Sequence, residues 1–165
     1  MGVRPAGRNP GLVGGARMGA VATGLDGDTD DAAVGALLVR VRRVAVLGVS
    51  DRFTRPSFRL AAYLLDRTAW TVDLVNPHVV ETLGRLCAPT LADVPPPDLV
   101  VVFRAPAAWD AVVDEVAAAG GRAVWLPGDV ADPATTAATL ARAYAAGLGA
   151  VADRDLRAEH RRWCT

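Results

Sequence analysis

The sequence predicts an α/β fold, a Rossmann-like three-layer sandwich around a five-stranded parallel sheet. Two observations carry this. Short apolar runs, clearest at residues 44–47 and 99–103, read as strands buried on both faces, as parallel strands require, and further strands follow at 70–75, 123–126 and 148–152. Segments with apolar positions at helical spacing lie between them, and right-handed crossovers then place helices on both faces of one sheet. At 165 residues and 52% apolar composition, the chain can bury a sizeable core as one domain over residues 28–156.

Residues 1–27 are rich in Gly, Ala and Arg and poor in large apolar residues, so they read as a disordered leader or as sequence upstream of a start at Met18. Asp28, Thr29, Asp30 and Asp31 offer caps and first-turn acids to a short helix with Val34, Leu37, Leu38 and Val41 on one side. It covers one end of the sheet. After the first strand, Pro56-Ser57 opens an amphipathic helix carrying Phe58, Ala61, Leu64 and Leu65. The second strand ends at Asn76-Pro77, where proline cannot continue a ladder. Residues 78–94, with Leu86, Cys87 and Leu91, fold locally under the sheet edge, and Pro95-Pro96-Pro97 leads stiffly into the third strand. A helix follows with Pro106 near its start, Val112, Val113 and Val116 on its apolar side, and Gly120-Gly121 as its stop. Pro127-Gly128 closes the fourth strand, and Asp132-Pro133 opens a helix running to about Ala146. Residues 157–165 read as an Arg-rich tail, at most a frayed helix, with His160 exposed.

Composition excludes several functions. The net charge is zero and the basic residues are scattered, which argues against nucleic-acid binding. Every basic residue is arginine, so a Schiff base, a P-loop lysine and a kinase-type lysine are all ruled out. Cys87 and Cys164 lie far apart and form no C-x-x-C pair, so neither a disulfide framework nor a metal site is expected, and a reducing cytoplasm fits. No apolar stretch is long enough for a secretory segment or a membrane span. Nothing resembles G-x-S-x-G or H-E-x-x-H, and the two histidines are distant, so no catalytic residue is assigned.

In a sheet of this kind the ligand sits beyond the carboxyl ends of the strands, where strand order reverses. That rule gathers Gly48, Val49 and Ser50, then Asn76, Pro77 and His78, then Phe103 and Arg104, then Pro127 and Gly128, and last Asp153 and Arg154. The junction from residue 44 to residue 57 stands out: an apolar strand stops at Gly48, passes two arginines, and meets a helix at Pro56-Ser57. The open N–H groups of a helix start form an anion site. The usual NAD pattern is missing on two counts, since no second or third glycine follows Gly48 and Asn76 stands where an acid would hold a ribose.

The ordered segments VAVLGVSDRFTRPSFRLAAYLL, VDLVNP, TLADVPPPDLVVVFR, AVWLPGDV and VADRD resemble the stand-alone coenzyme A-binding domain family, itself similar to the N-terminal domain of the succinyl-CoA ligase alpha subunit. The resemblance spans roughly residues 30–160 and implies a Rossmann-like fold that binds coenzyme A or an acyl-CoA without an established catalytic activity. It implies phosphate contacts at Gly48, Val49, Ser50, Pro56 and Ser57 and a turn at Asn76-Pro77. His78 stands where the family commonly has lysine, Pro127 replaces the glutamine before Gly128, and Asp155 follows Asp153-Arg154 where the family often has cysteine. The last change argues against thiol chemistry there. An NAD(P)- or other adenine-nucleotide-binding oxidoreductase or sensor domain is the alternative, and docking onto an acyl-CoA enzyme is a third reading.

Each site residue also has a plainer role. Gly48 permits a tight turn, Ser50 and Ser57 serve as caps, and Arg52 and Arg55 sit as solvated charges unless a phosphate needs Arg55. Arg104 either pairs with an acid such as Asp110 or faces the ligand. His78 reads as an exposed loop residue, Trp125 as core and Cys87 as an apolar filler.

Overall fold

The structure, a computed structural model, describes residues 30–165. The leader expected over 1–27 and the caps offered by Asp28 and Thr29 lie outside the described residues. Asp30 caps helix α1 (Asp31–Leu38), its carboxylate accepting the Ala32 N–H at 3.0 Å. Then follow strand β1 (Arg43–Leu47), helix α2 (Pro56–Arg67) and strand β2 (Thr71–Val75). A hairpin of β3 (Glu81–Thr82) and β4 (Arg85–Leu86) and a 3₁₀ turn (Leu91–Asp93) lead to β5 (Leu99–Val102). A second 3₁₀ turn (Pro106–Ala108), α3 (Trp109–Ala118), β6 (Ala123–Leu126), α4 (Pro133–Ala145), β7 (Gly149–Ala152) and α5 (Leu156–Trp163) complete the order.

The main sheet has five parallel strands in the order β2-β1-β5-β6-β7, as the alternation of strands and helices requires. The chain steps outward from β1 to β2 and then crosses back to β5, so strand order reverses between β1 and β5. Alternate residues face opposite layers. Val44, Val46, Val101 and Trp125 pack toward α1, α2 and α5, while Ala45, Leu47, Val100 and Val102 pack toward α3 and α4. Side chains such as Val44, Leu47 and Leu99 are wholly buried, each stabilising the fold by about 1.5–3 kcal/mol.

Three local expectations need correction. Pro106 opens a 3₁₀ turn, and the α-helix begins later, at Trp109, whose buried indole donates Nε1–H to the Arg104 carbonyl at 3.0 Å. Within residues 78–94 Leu91 is buried as expected, but Leu86 is exposed on the hairpin, whose turn puts Leu83 and Gly84 in the left-handed region. His160 is buried, not exposed. Residues 156, 160 and 163 share one face of α5, and His160 there meets the Tyr63 hydroxyl at 2.9 Å and the edge of Trp70. Trp163 closes on Gly35 of α1 so tightly that a Cβ at Gly35 would stand 2.7 Å from the indole. Burial pushes the His160 imidazole below its ordinary range, and the neighbouring Arg161 charge adds to this.

Candidate functional site

At the end of β1, Gly48 takes a left-handed conformation (φ 87°) and donates its N–H to the Val75 carbonyl at 2.8 Å. A Cβ there would stand 2.5 Å from the Phe103 carbonyl oxygen, so only glycine lets β1 turn out beside the end of β5. Val49 is buried, and its carbonyl accepts Asn76 Nδ2–H at 2.8 Å. Ser50 N–H donates to Ser57 Oγ at 3.0 Å, the Ser50 hydroxyl accepts Arg52 N–H at 3.0 Å, and its carbonyl accepts from Thr82 at 3.2 Å. Asn76 Oδ1 in turn accepts His78 N–H at 2.8 Å. These polar side chains are therefore engaged in shaping the loop, and the Ser57 hydroxyl is buried within it.

Pro77 and His78 lie exposed beyond β2, on the far side of β1 from β5. Arg104 makes an ion pair with an acid of α3, but with Glu115 at 3.0 Å and not with Asp110.

The start of α2 differs from those of the other helices; α3 also lacks a side-chain cap, but it continues from the preceding 3₁₀ turn, with Trp109 N–H donating to the Pro106 carbonyl, and carries Asp110 in its first turn. Helices α1, α4 and α5 are each capped by an aspartate: Asp30, Asp132, which accepts Thr135 N–H at 2.8 Å, and Asp155, which accepts Arg157 N–H at 2.9 Å. At α2 the cap position is Arg55, with no side-chain acceptor, followed by Pro56 at the first turn. The helix's first intrahelical-type bond is Arg59 N–H to the Arg55 carbonyl at 3.2 Å, and the amides of Ser57 and Phe58 have no acceptor among the described residues. Arg52 and Arg55 are exposed and form no ion pair with a described residue. Positive potential from both backbone and side chains converges there.

A cleft of about 300 Å³ opens from this helix start toward the ends of β5 and β6 and the turn into α5. Pro56, Phe103 and Gly128, all expected site residues, line it. Gly48, Val49, Ser50, Arg55, Ser57, Asn76, Pro77, His78 and Arg104 do not. Of the rest of the lining, sequence reasoning reaches Arg154, in the loop after the last strand, but not Thr54, Arg59, Leu60 or residues 155–157. The available signal was an Asp155 cap ahead of Leu156, hidden because the helix it starts looks polar. Trp125, buried as expected, also floors the cleft and donates Nε1–H to the Arg154 carbonyl at 3.0 Å, fixing the turn. Asp129 and Asp153, just past β6 and β7, hold left-handed backbone, and Asp153 lies beside Gly128, where an added Cβ would make ordinary contact, 3.5 Å from its Cα.

Arg154 reaches Asp31 at 2.6 Å and Glu159 at 3.1 Å, tying the turn to α1. Among the described residues no group of three His, Cys, Asp or Glu side chains stands close enough to hold a metal ion. Burial raises the thiols of Cys87 and Cys164 above their ordinary range, with Asp51 adding to the effect at Cys87, which keeps both protonated at neutral pH. The one carboxylate of the cleft lining, Asp155, is engaged as a helix cap. The arrangement is chemically suited to holding an anion beside an apolar arm. Among the described residues no helix is long and apolar enough to cross a membrane.

Residues 42–161 match the family model described as a CoA binding domain. The chain is similar to a solved hypothetical protein from Pyrococcus horikoshii OT3, at 29% identity and TM-score 0.74, over 87% of this chain and 98% of that one. It is also similar to a solved protein from Thermus thermophilus, at 31% identity and TM-score 0.71, over 82% of this chain and 99% of that one. A dinucleotide-forming acetyl-coenzyme A synthetase from Ca. Korarchaeum cryptofilum, solved with phosphate and ADP, shares the fold at 23% identity and TM-score 0.58, over 67% of this chain and 25% of that one.

Proposed function

Since this chain belongs to the CoA-binding domain family, we propose that it is a non-catalytic coenzyme A or acyl-CoA binding protein with the coenzyme's phosphates at the start of α2. The observation that carries the reading is the contrast among helix starts. Three helices carry a capping aspartate and α3 carries Asp110 in its first turn, whereas α2 has no acid in its first turn and presents the open amides of Ser57 and Phe58 with Arg52 and Arg55 beside them. An aspartate cap would repel a pyrophosphate, and this start attracts one through amide dipoles and guanidinium charge without any lysine.

Gly48, Val49, Ser50, Ser57, Asn76 and Pro77 act by shaping the loop, and Arg55 and the two amides act by contact. His78 stands at the outer rim. The adenine lies against apolar loop residues near the ends of β2 and β5, and the pantetheine arm runs past Pro56 into the cleft lined by Phe103 and Gly128. Such a protein buffers, senses or presents the carrier in the cytoplasm, with an acyl-CoA enzyme as the fitting partner.

Calorimetric titration with coenzyme A, its dephospho form and NADH tests the reading. Coenzyme A is expected to bind most tightly, loss of the 3′-phosphate to weaken binding, and added salt to weaken it further. Arg55→Ala is expected to reduce affinity about ten-fold, the size of one charge-assisted contact. NADH binding as tightly as coenzyme A would favour the nicotinamide alternative instead.

A further inference from the structure

The cleft has an apolar floor and a cationic rim, and these features specify more than a carrier. Leu60, Val101, Phe103, Trp125 and Leu156 form the floor, Arg59 and Arg157 stand at the rim, and Asp155 is the only acid in the lining. Arg154 is held by Asp31 and Glu159 and adds little free charge. Arg59 donates Nε–H to the Phe53 carbonyl at 3.3 Å and forms no ion pair with a described residue. Arg157, its side chain 44% exposed, reaches Asp155 at 3.5 Å through Nε. Two guanidinium groups over a hydrophobic floor fit a short hydrocarbon chain that ends in a carboxylate.

Building on the coenzyme A reading above, we propose that the cleft between α2 and α5 binds the acyl end of the thioester and selects acyl groups with a terminal carboxylate. A carrier fixed by its pyrophosphate at the α2 start has two arms. The cleft begins at Thr54 and Pro56, beside that start, and its floor of aliphatic and aromatic side chains suits the slender thioester arm. Phe53, 73% exposed and outside the cleft lining, adds a flat apolar surface beside the loops at the ends of β2 and β5 on which the base rests, leaving the cleft to the acyl arm.

The test compares glutaryl-CoA with pentanoyl-CoA, equal in length and differing by a carboxylate in place of a methyl group, by calorimetric titration of the full chain. Glutaryl-CoA is expected to bind at least about ten-fold more tightly. Arg157→Gln is expected to abolish that preference while leaving affinity for free coenzyme A unchanged. Asp155→Asn, which keeps a capping oxygen and removes the rim acid, is expected to enlarge the preference. Equal affinity for the two esters would overturn the selectivity and leave the coenzyme A reading standing. An Arg157→Gln protein that loses affinity for coenzyme A and both esters alike would also overturn it, since the arginine would then serve the carrier's phosphates. Absence of binding to coenzyme A itself would remove the underlying reading and this one together.

Discussion

Single residues decide whether the β1 turn and the α5 closure exist. Gly48→Ala places a methyl group against the Phe103 carbonyl in a backbone region that disfavours it, and is expected to destabilise the protein by about 2 kcal/mol or more in chemical unfolding. An unchanged midpoint would show that β1 and β5 do not approach as described. His160 sets a pH dependence. Its folded-state pKa is depressed by burial, so the stability it confers is complete above the ordinary imidazole value of about 6.5 and is lost as pH falls toward the folded value. The thermal midpoint is expected to drop between about pH 7 and pH 5, and His160→Gln, which still bonds Tyr63 without titrating, to flatten that drop. Identical slopes would contradict it. Asp31, lowered by Arg162 and Arg154, acts only at more acidic pH, as that carboxylate protonates. The sequence exposed the need for glycine at position 48, because a buried strand must turn there. It concealed His160, because a histidine among arginines gives no apolar periodicity.

At the scale of elements, helix starts were largely legible and their consequences less so. Asp30, Asp132 and Pro133 marked α1 and α4 because side-chain acceptors and proline's fixed φ are written in residue type. The α2 start was legible as an anion site, yet the division of labour within its loop was not, since hydrogen bonds such as Ser50 N–H to Ser57 Oγ depend on a tertiary turn. Ser57→Ala therefore removes an acceptor inside the loop, and is expected to cost about 1 kcal/mol of stability and to weaken coenzyme A binding together. A variant with full stability and lost binding would instead make the hydroxyl a direct ligand contact. In the sequence helix α5 reads as a tail, because only residues 156, 160 and 163 of its face are large and inward. Gly35→Ala is expected to part α5 from α1 and to lower stability by about 1–3 kcal/mol, measurable by urea unfolding.

Across the whole molecule, strand order brings distant segments to one crevice. The reversal between β1 and β5 sets the α2 start beside the ends of β5 and β6, and the turn into α5 closes the far side. This arrangement was legible as a rule about parallel sheets before any side chain was placed. The cleft's cationic rim was not, because Arg59 and Arg157 lie nearly a hundred residues apart in the chain and meet only through the fold. The most direct test of the central claim follows backbone amide resonances of the ¹⁵N-labelled protein during titration with coenzyme A. The largest downfield shifts are expected at Ser57 and Phe58, as open amides acquire a phosphate acceptor. Saturating coenzyme A that leaves those two amides unmoved, while resonances elsewhere shift, would contradict it.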